Sequence, residues 1–331
     1  MKKRDLPKFS VVIPVKNGEK LIKKCLESLK RLNYPQKKIE IIIADGFSTD
    51  KTRTIARKFR VKVVDNPKTT VVAGRNVGFL ASKGDLIAFT DVDCTFHKDW
   101  LINAVKYFTD PKVGGISGPN LVPSFERPFG KAVSLIFDMA YAFNAGSPTK
   151  QYKRIIKSRS HGSNAIFRRE VLEKIFPIDE TLVEGEDVLM TQKVEDLGYQ
   201  LLYVPDVIVY HFRRTTPKSW LNQMMRYAQA KVLLQRRRVR GVTLTQKGVG
   251  FFIPFLVILF VLNILFPRLI FFSFLTSLIF IVGLFVYGLY SSKSFGIAFN
   301  FVYACIIMVF AWSFGYLREL LFASNQKWRH E

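Results

Sequence analysis

Short apolar runs alternate with amphipathic stretches over the first ninety residues of the chain. The runs at residues 9–13, 39–44, 61–65 and 84–89 are mostly apolar and have the length of buried strands. Between the first two runs, apolar residues recur at helical spacing, which predicts a helix over residues 19–31. Strands that alternate with helices in this way predict a parallel sheet with helices on both faces.

The alternation of apolar runs with amphipathic stretches is less regular between residues 100 and 210. It predicts a helix over 100–108 and short strands over 113–117, 199–204 and 206–210. Residues 133–143 are apolar but too short to cross a bilayer, so a core helix is favoured over a segment lying in the membrane interface. Residues 150–159 are basic, which is typical of a solvated loop. A lid that closes on phosphates or touches anionic lipid is the alternative.

The C-terminal part of the chain has a different pattern. Three stretches, at residues 250–266, 269–290 and 297–317, contain no charged residue and have the lengths of bilayer spans, the first one barely. By the positive-inside rule, the basic run before them, Arg236 to Lys247, should lie on the cytoplasmic side. Three full spans would then place Arg318 outside, against that rule. A re-entrant first stretch, which contains Pro254, is the alternative, and the pattern leaves the choice open.

A helix expected over residues 218–240 precedes these stretches. Its apolar residues and its basic end, Arg236 to Arg240, fit a helix that lies on the cytoplasmic leaflet with its apolar side down. A buried helix with a basic end is the alternative.

The charge of the chain narrows its possible partners. The formal net charge is +24, and 44 of the 50 basic residues lie within residues 1–240. Such a surface suits nucleic acid, anionic lipid headgroups or phosphorylated substrates. The apolar stretches favour the last two, and no nucleic-acid recognition motif is present, so no nucleic-acid partner is expected. The three cysteines lie far apart in the sequence, and the charged start has no apolar run, so we expect the polar part of the protein to be cytoplasmic. Together with the apolar stretches, this predicts a multi-pass protein of the cell membrane.

Two carboxylates, Asp91 and Asp93, follow the strand predicted at residues 84–89. Ligands of open α/β sheets bind beyond the carboxyl ends of the strands, and carboxylate oxygens suit Mg²⁺ or Mn²⁺. Neither of the common glycine-rich phosphate-binding loops is present in the sequence, so a nucleotide site would have to use side chains and a metal. We therefore hypothesise that Asp91 and Asp93 hold a metal that binds a nucleotide diphosphate. A polar turn is the alternative.

Four stretches in this order resemble the family-2 glycosyltransferases, which have the GT-A fold. They are SVVIPVKN at residues 10–17, IEIIIADGFSTDKT at 39–52, GRNVG at 74–78 and GDLIAFTDVD at 84–93. The resemblance implies a GT-A (Rossmann-like, mainly parallel) domain over residues 1–217. An interfacial helix and basic linker (218–247), about three transmembrane helices (248–318) and a polar tail (319–331) would follow.

The resemblance also implies roles for individual residues. The donor-binding residues would be Pro14, Val15, Asn17, Asp45, Arg75 and Asp91, and the Mg²⁺ or Mn²⁺ ligands Asp91, Asp93 and His211. A turn residue that stabilises its own loop is the alternative for Asp45, and a solvated helix face is the alternative for Arg75. A structural role for His211 is equally open. A segment at residues 161–170 resembles the one that precedes the acceptor site in this family. The residues expected at the acceptor or its diphosphate are Ser163, Asn164, Glu186, Gln223, Arg226 and Tyr227.

The resemblance also implies that Asp187, in the motif EGEDVLM at residues 184–190, is the catalytic base, since in this family an aspartate of a Glu-Asp pair at a helix start deprotonates the acceptor hydroxyl. A sugar hydroxyl is a poor nucleophile until a carboxylate takes its proton. Acidic residues that favour a helix N-terminus are the alternative explanation of this motif.

The function expected from the resemblance is that of a membrane-anchored inverting glycosyltransferase. It would move a sugar from a nucleotide-diphosphate sugar to a hydroxyl of a lipid-linked or polysaccharide acceptor. The alternatives are a polyprenyl-phosphate sugar synthase, whose acceptor is a phosphate, and a non-catalytic nucleotide-sugar-binding membrane protein. The sequence leaves the sugar, the nucleotide, the acceptor and the oligomeric state open.

Overall fold

The structure is a computed structural model that describes residues 6–123, 126–142, 156–157, 162–182, 184–213, 216–240 and 243–322. The strands are β1 (Phe9–Val15), β2 (Ile39–Asp45), β3 (Lys62–Asp65), β4 (Leu86–Phe89), β5 (Cys94–Phe96), β6 (Val113–Ser117), β7 (Asn120–Leu121), β8 (Ile156–Lys157), β9 (Ala165–Arg168), β10 (Gln200–Tyr203) and β11 (Val209–His211). The helices are α1 (Glu19–Lys30), α2 (Thr52–Lys58), α3 (Val71–Ala81), α4 (Trp100–Val105), α5 (Pro128–Ala142), α6 (Arg169–Ile175), α7 (Glu186–Asp196), α8 (Pro217–Arg236), α9 (Leu244–Gly250), α10 (Phe252–Leu265), α11 (Leu269–Ser292) and α12 (Phe295–Phe322).

The chain divides into two compact units. The first comprises Met1–Pro123 and Lys150–Phe212, and the second comprises Ser124–Thr149 and Arg213–Glu331. The sequence predicted an unbroken α/β domain over residues 1–217, whereas the segment that contains α5 groups with the C-terminal helices.

A mixed sheet forms the centre of the first unit. Among the described residues its strand order is β3-β2-β1-β4-β9-β6-β10-β8. β1 pairs in parallel with β2 and with β4, while β9 runs antiparallel to β4 and β6. All seven residues of β1 are buried, which is why its sequence, FSVVIPV, is almost continuously apolar. The predicted α/β fold class with a mainly parallel sheet is confirmed.

A second, three-stranded sheet lies in the same unit, with the order β5-β11-β7. β11 pairs antiparallel with β5, and this pairing sets His211 opposite Cys94, the residue after Asp93. The helix predicted over residues 100–108 is α4 followed by a short 3₁₀ turn, Lys106–Thr109.

Helix α3 packs unusually closely on β1, and two glycines allow this. A Cβ atom at Gly78 would lie 2.2 Å from Val12 Cγ1, and one at Gly74 would lie 2.8 Å from Pro14 Cβ. Any larger side chain at these positions would push the helix away from the sheet. The glycines of the GRNVG stretch therefore fix the distance between α3, which carries Arg75, and the end of β1.

The second unit is helical. Residues of α5, α8 and α12 share a buried apolar cluster, whose fully buried members include Trp220 and Phe301. The Trp220 indole N–H donates to Ala304 O at 3.0 Å. The sequence predicted α8 with its apolar side on the membrane. That orientation is corrected for Trp220, Met224 and Val232, which are buried by protein.

The C-terminal apolar stretches form helices. By length and composition, α11 and α12 are each able to cross a membrane. The first predicted stretch corresponds to α10, which meets the preceding helix α9 at a bend of 53°, so that this pair is either a broken span or a re-entrant loop. Large apolar side chains of α10 and α11, such as Phe260 and Phe271, are mostly exposed. This exposure suits contact with lipid tails.

We expect Gly78→Ala to destabilise the protein, because its methyl group would overlap Val12. Overpacking of this kind costs about 1–3 kcal/mol. Thermal unfolding of the detergent-solubilised protein measures the effect as a lower midpoint. The matched control is Gly248→Ala in α9, where an added Cβ meets nothing within 4 Å. Equal midpoints for the two variants would contradict the tight packing of α3 on β1.

Candidate functional site

The loops after β1 and β2 are joined by Asn17. Its side-chain Oδ1 accepts a hydrogen bond from Thr49 N at 2.9 Å, and its backbone N–H donates to Ser48 Oγ at 2.8 Å. Asn17 has a φ of 54°, a left-handed conformation that Asn tolerates better than most residues. Its amide therefore holds two loops together at the carboxyl ends of neighbouring parallel strands.

Asp45, the last residue of β2, is completely buried. Its Oδ2 accepts from Ser48 N at 3.0 Å and lies 3.5 Å from Arg53 Nη1. Its Oδ1 is buried and has no hydrogen-bond partner in the described part of the chain. An unsatisfied carboxylate oxygen is costly, so it suits a ligand that brings a donor, such as the N–H of a base.

Asp91 and Asp93 lie in the turn between β4 and β5. His211, at the end of β11, places its Nε2 3.1 Å from Asp93 Oδ1. The pairing of β11 with β5 thus brings an imidazole to the Asp93 carboxylate from a sequence position more than a hundred residues away, and Asp91 lies two residues before Asp93 in the same turn. His211 Nδ1 is buried and has no partner among the described residues.

These three side chains fit a divalent cation such as Mg²⁺ or Mn²⁺, because carboxylate oxygens are the ligands that such hard ions prefer. Cys94 Sγ also lies within 4.8 Å of ligand atoms of Asp93 and His211. Burial raises the pKa of the Cys94 thiol well above its usual value, and the nearby Asp93 adds to this. A protonated, soft sulfur is a poor ligand for Mg²⁺ or Mn²⁺, so the cysteine is not part of the fitting set.

Arg75 links the aspartate turn to helix α7. Its guanidinium forms an ion pair with the Glu186 carboxylate, and its Nη2 lies 3.6 Å from Asp91 Oδ1. Arg75 and Glu186 are both buried. Burial raises the pKa of Glu186, while the positive charge of Arg75 opposes the rise. Burial likewise raises the pKa of Asp91 against the influence of Arg75.

Glu186 and Asp187 form the first turn of α7. Gly185 before them has a φ of 86°, a left-handed conformation that favours glycine and that turns the chain into the helix. Asp187 is half-buried, and its Oδ1 accepts from Val188 N at 2.8 Å. Since Glu186 is joined to Arg75 and Arg75 to Asp91, the carboxylate of Asp187 belongs to the same part of the unit as the aspartate turn.

Asn164 is fully buried, and its amide is used within the first unit. Its Oδ1 accepts from Trp100 Nε1 at 3.0 Å, and its Nδ2 donates to Pro119 O and Val207 O. These hydrogen bonds give the side chain a scaffold role, and a contact of Asn164 with an acceptor stays a prediction. Ser163 is buried as well, and its hydroxyl accepts from Asn120 Nδ2 at 2.9 Å.

The last expected site residues lie on α8, in the second unit. Gln223 Nε2 donates to Tyr227 OH at 3.0 Å, which places these two residues on one face of the helix together with Arg226 nearby in sequence. Their contact with an acceptor or a diphosphate stays a prediction. His161 and most of the basic segment at 150–159, including Lys150, Lys153, Arg154 and Arg159, lie outside the described residues.

Comparison with known proteins decides the family. A model of glycosyl transferase family 2 matches residues 10–176, just over half of the chain. The chain belongs to glycosyl transferase family 2.

Two curated relatives and one solved structure extend this result. This family-2 glycosyltransferase is 32% identical over 214 residues to glycosyltransferase AglE of Haloferax volcanii, a match that covers 62% of this chain and 67% of AglE. It is 24% identical over 241 residues (69% and 74% of the two chains) to a dolichyl N-acetyl-alpha-D-glucosaminyl phosphate 3-beta-D-2,3-diacetamido-2,3-dideoxy-beta-D-glucuronosyltransferase of Methanococcus voltae. Its fold is similar to that of the mannosyltransferase PcManGT of Pyrobaculum calidifontis, solved with GDP-Man and Mn²⁺. That likeness has a TM-score of 0.66, an identity of 18%, and coverage of 97% and 89%. The predicted family and GT-A fold are thus confirmed.

Sequence reasoning missed two partners at the site of this transferase. One is the pairing of Glu186 with Arg75, and the other is Gly162, where a Cβ atom would lie 2.5 Å from Arg75 Nη2. The GRNVG stretch marked Arg75, but nothing in the sequence connects this residue with Gly162 or with Glu186, which lies 111 positions later.

Asn164→Ala should destabilise the first unit, because it leaves the Trp100 indole N–H and the Val207 carbonyl without these partners, while Pro119 O keeps the hydrogen bond from Val209 N. Each buried group left unpaired costs about 1–3 kcal/mol. We expect a clearly lower thermal midpoint, with nucleoside diphosphate binding retained by the folded fraction. Asn33→Ala is the control, because exposed Asn33 makes only a surface hydrogen bond to Asp99. A normal midpoint for Asn164→Ala would contradict the scaffold role.

Proposed function

We propose that this family-2 glycosyltransferase is a membrane-anchored, inverting and metal-dependent enzyme. It moves a sugar from a nucleotide-diphosphate sugar to a hydroxyl of a lipid-linked or polysaccharide acceptor. The observation that carries the proposal is the chain of contacts from Asp91 through Arg75 to Glu186, which brings a candidate base, Asp187, to the candidate metal turn.

The donor nucleotide binds at the carboxyl ends of β1 and β2. Asp45 supplies an unused carboxylate oxygen for a base N–H, and Asn17 orders the loops around the pocket. Pro14 and Val15 form the buried end of β1 beneath these loops, so they shape the pocket by packing. The structure of PcManGT with GDP-Man supports a nucleotide sugar as the donor class for a fold of this kind.

Asp91, Asp93 and His211 would hold the divalent cation, Mg²⁺ or Mn²⁺. When bound, that ion neutralises the negative charge that builds up on the departing diphosphate. The presence of Mn²⁺ in the PcManGT structure supports this cofactor class.

Asp187 accepts the proton of the acceptor hydroxyl as that oxygen attacks the sugar. A carboxylate positioned for this task typically contributes about 10²–10⁴-fold to the rate. A single displacement with one base and one leaving group inverts the configuration at the anomeric carbon. Glu186 is paired with Arg75, and we assign the role of base to Asp187, the half-buried carboxylate that follows it in the same turn.

The membrane helices hold the enzyme at the bilayer, where a lipid-linked acceptor lies. A lipid-linked acceptor remains in the bilayer, and α11 and α12 keep the transferase at that surface. The name of the M. voltae relative describes a dolichyl phosphate-linked sugar as its acceptor, which supports the same acceptor class here. The positive residues before α10, such as Arg237 and Arg238, favour a cytoplasmic catalytic unit.

We expect Asp187→Asn to lower transfer by at least about a hundredfold, because an amide takes up no proton from the acceptor. Binding of the donor should persist. Transfer is followed by chromatography of the glycosylated acceptor, and donor binding by calorimetry. Glu195→Gln, on the exposed side of the same helix, is the matched control and should transfer normally. Unchanged transfer by Asp187→Asn would contradict the base assignment and would favour a phosphate acceptor, which is already anionic and needs no base.

A further inference from the structure

The guanidinium of Arg75 is enclosed by the protein. The residue is only 3% exposed, and its Nη1 and Nη2 face the carboxylates of Glu186 and Asp91, while its buried Nε has no hydrogen-bond partner among the described residues. The ring of Phe89, the last residue of β4, lies 5.9 Å from its central carbon. Arg75 therefore has two anionic partners inside the protein before any phosphate arrives.

Gly162 fixes the guanidinium from another side. A Cβ at this position would lie 2.5 Å from Arg75 Nη2, closer than any real contact. The missing side chain leaves room for the guanidinium at the place where it meets Asp91. The site is thus built to hold this cation in one position.

The two partners of Arg75 lie in different parts of the proposed active site, the donor half with the metal turn and the acceptor half with the base. Asp91 lies in the candidate metal turn, and Glu186 immediately precedes the candidate base in the first turn of α7. Neighbouring residues of a helical turn move together, so a shift of Glu186 displaces Asp187 as well. A planar guanidinium can contact two carboxylates at once, which a lysine ammonium does less well.

We propose that Arg75 is a positioning residue that couples the donor half of the site to the acceptor half, and not a ligand of the donor phosphates. Through Asp91 it fixes the metal turn, and through Glu186 it fixes the start of α7 and hence Asp187. This inference rests on the proposed function. It differs from the expectation drawn from the family resemblance, in which Arg75 lies at the nucleotide or its phosphates.

Three changes test the coupling. Arg75→Met removes the cation, Glu186→Gln removes one of its anionic partners, and Gly162→Ala shifts the guanidinium while every charge is retained. For each variant we expect kcat to fall about 10–100-fold. The Kd for nucleoside diphosphate measured without added metal should stay within about threefold, because the proposed role includes no contact of Arg75 with phosphate. The double variant Arg75→Met/Glu186→Gln should be no slower than the slower single variant, because both changes break one link.

Arg169→Met is the matched control. Arg169 is also an arginine that joins segments of the first unit, since it donates to Gly84 O and Ser82 Oγ, but it contacts neither carboxylate of the site. It should lower the thermal midpoint and leave kcat unchanged. A purely structural role of Arg75 predicts the same pattern for Arg75→Met, which would overturn the proposal.

Two further results would overturn it. A weaker Kd for nucleoside diphosphate, by tenfold or more, with unchanged kcat would identify Arg75 as a phosphate ligand. If kcat of the double variant falls by the product of the two single-variant factors, Arg75 and Glu186 have independent roles. If Arg75→Met does not fold, Gly162→Ala decides alone, because a normal kcat for this variant contradicts the coupling. Absence of transfer by the wild-type protein with every donor would instead refute the proposed function. The nucleotide-binding measurements would still report whether Arg75 contacts phosphate.

Discussion

The parallel pairing of β1 with β2 and with β4 is the constraint on which the site depends. The register sets Val15 beside Asp45 and Val12 beside Phe89, so the three strands end at one edge of the sheet. Each strand is followed by polar residues, and that common edge brings them together. The close packing of α3 on β1, which Gly74 and Gly78 allow, then carries Arg75 to the same edge.

Charge compensation is the second requirement of such a site. Asp91, Asp93 and Glu186 are acidic groups in a confined space, and an unpaired buried carboxylate is costly. Arg75 offsets part of this charge from within the protein, and a divalent cation would offset the rest. The contacts of Arg75 that offset this acidic charge also tie α7 to the aspartate turn. If the proposed mechanism holds, folding and catalysis depend on the same contacts in this region.

Much of the first unit could be predicted from the sequence, because its signals are local. The apolar runs gave the positions of β1 to β4, and the residues after the fourth run marked Asp91 and Asp93, whereas Asn17 and Asp45 were assigned through the family resemblance. His211 could be proposed only through the family resemblance, because its approach to Asp93 depends on the pairing of β11 with β5.

The parts that escaped prediction depend on contacts between residues far apart in the sequence. The ion pair of Arg75 with Glu186 joins positions 111 residues apart. The segment around Asn164 predicts a residue of the acceptor site, whereas the structure shows the buried amide hydrogen-bonded to Trp100 and Val207. The amphipathic pattern of α8 is the same whether lipid or protein covers its apolar side. The packing of α5 and α12 decides that question for Trp220.

The central claim is that this chain transfers a sugar from a nucleotide sugar with the help of a metal held by the aspartate turn. Release of free nucleoside diphosphate tests it most directly. The detergent-solubilised protein would be given a panel of nucleotide sugars, Mn²⁺ and a membrane lipid extract as the source of acceptor. We expect that one donor is turned over only with the metal, that Asp93→Ala abolishes this turnover and that Cys94→Ser retains it. Turnover that persists with a chelator or in Asp93→Ala would show that the reaction needs no metal held by the aspartate turn.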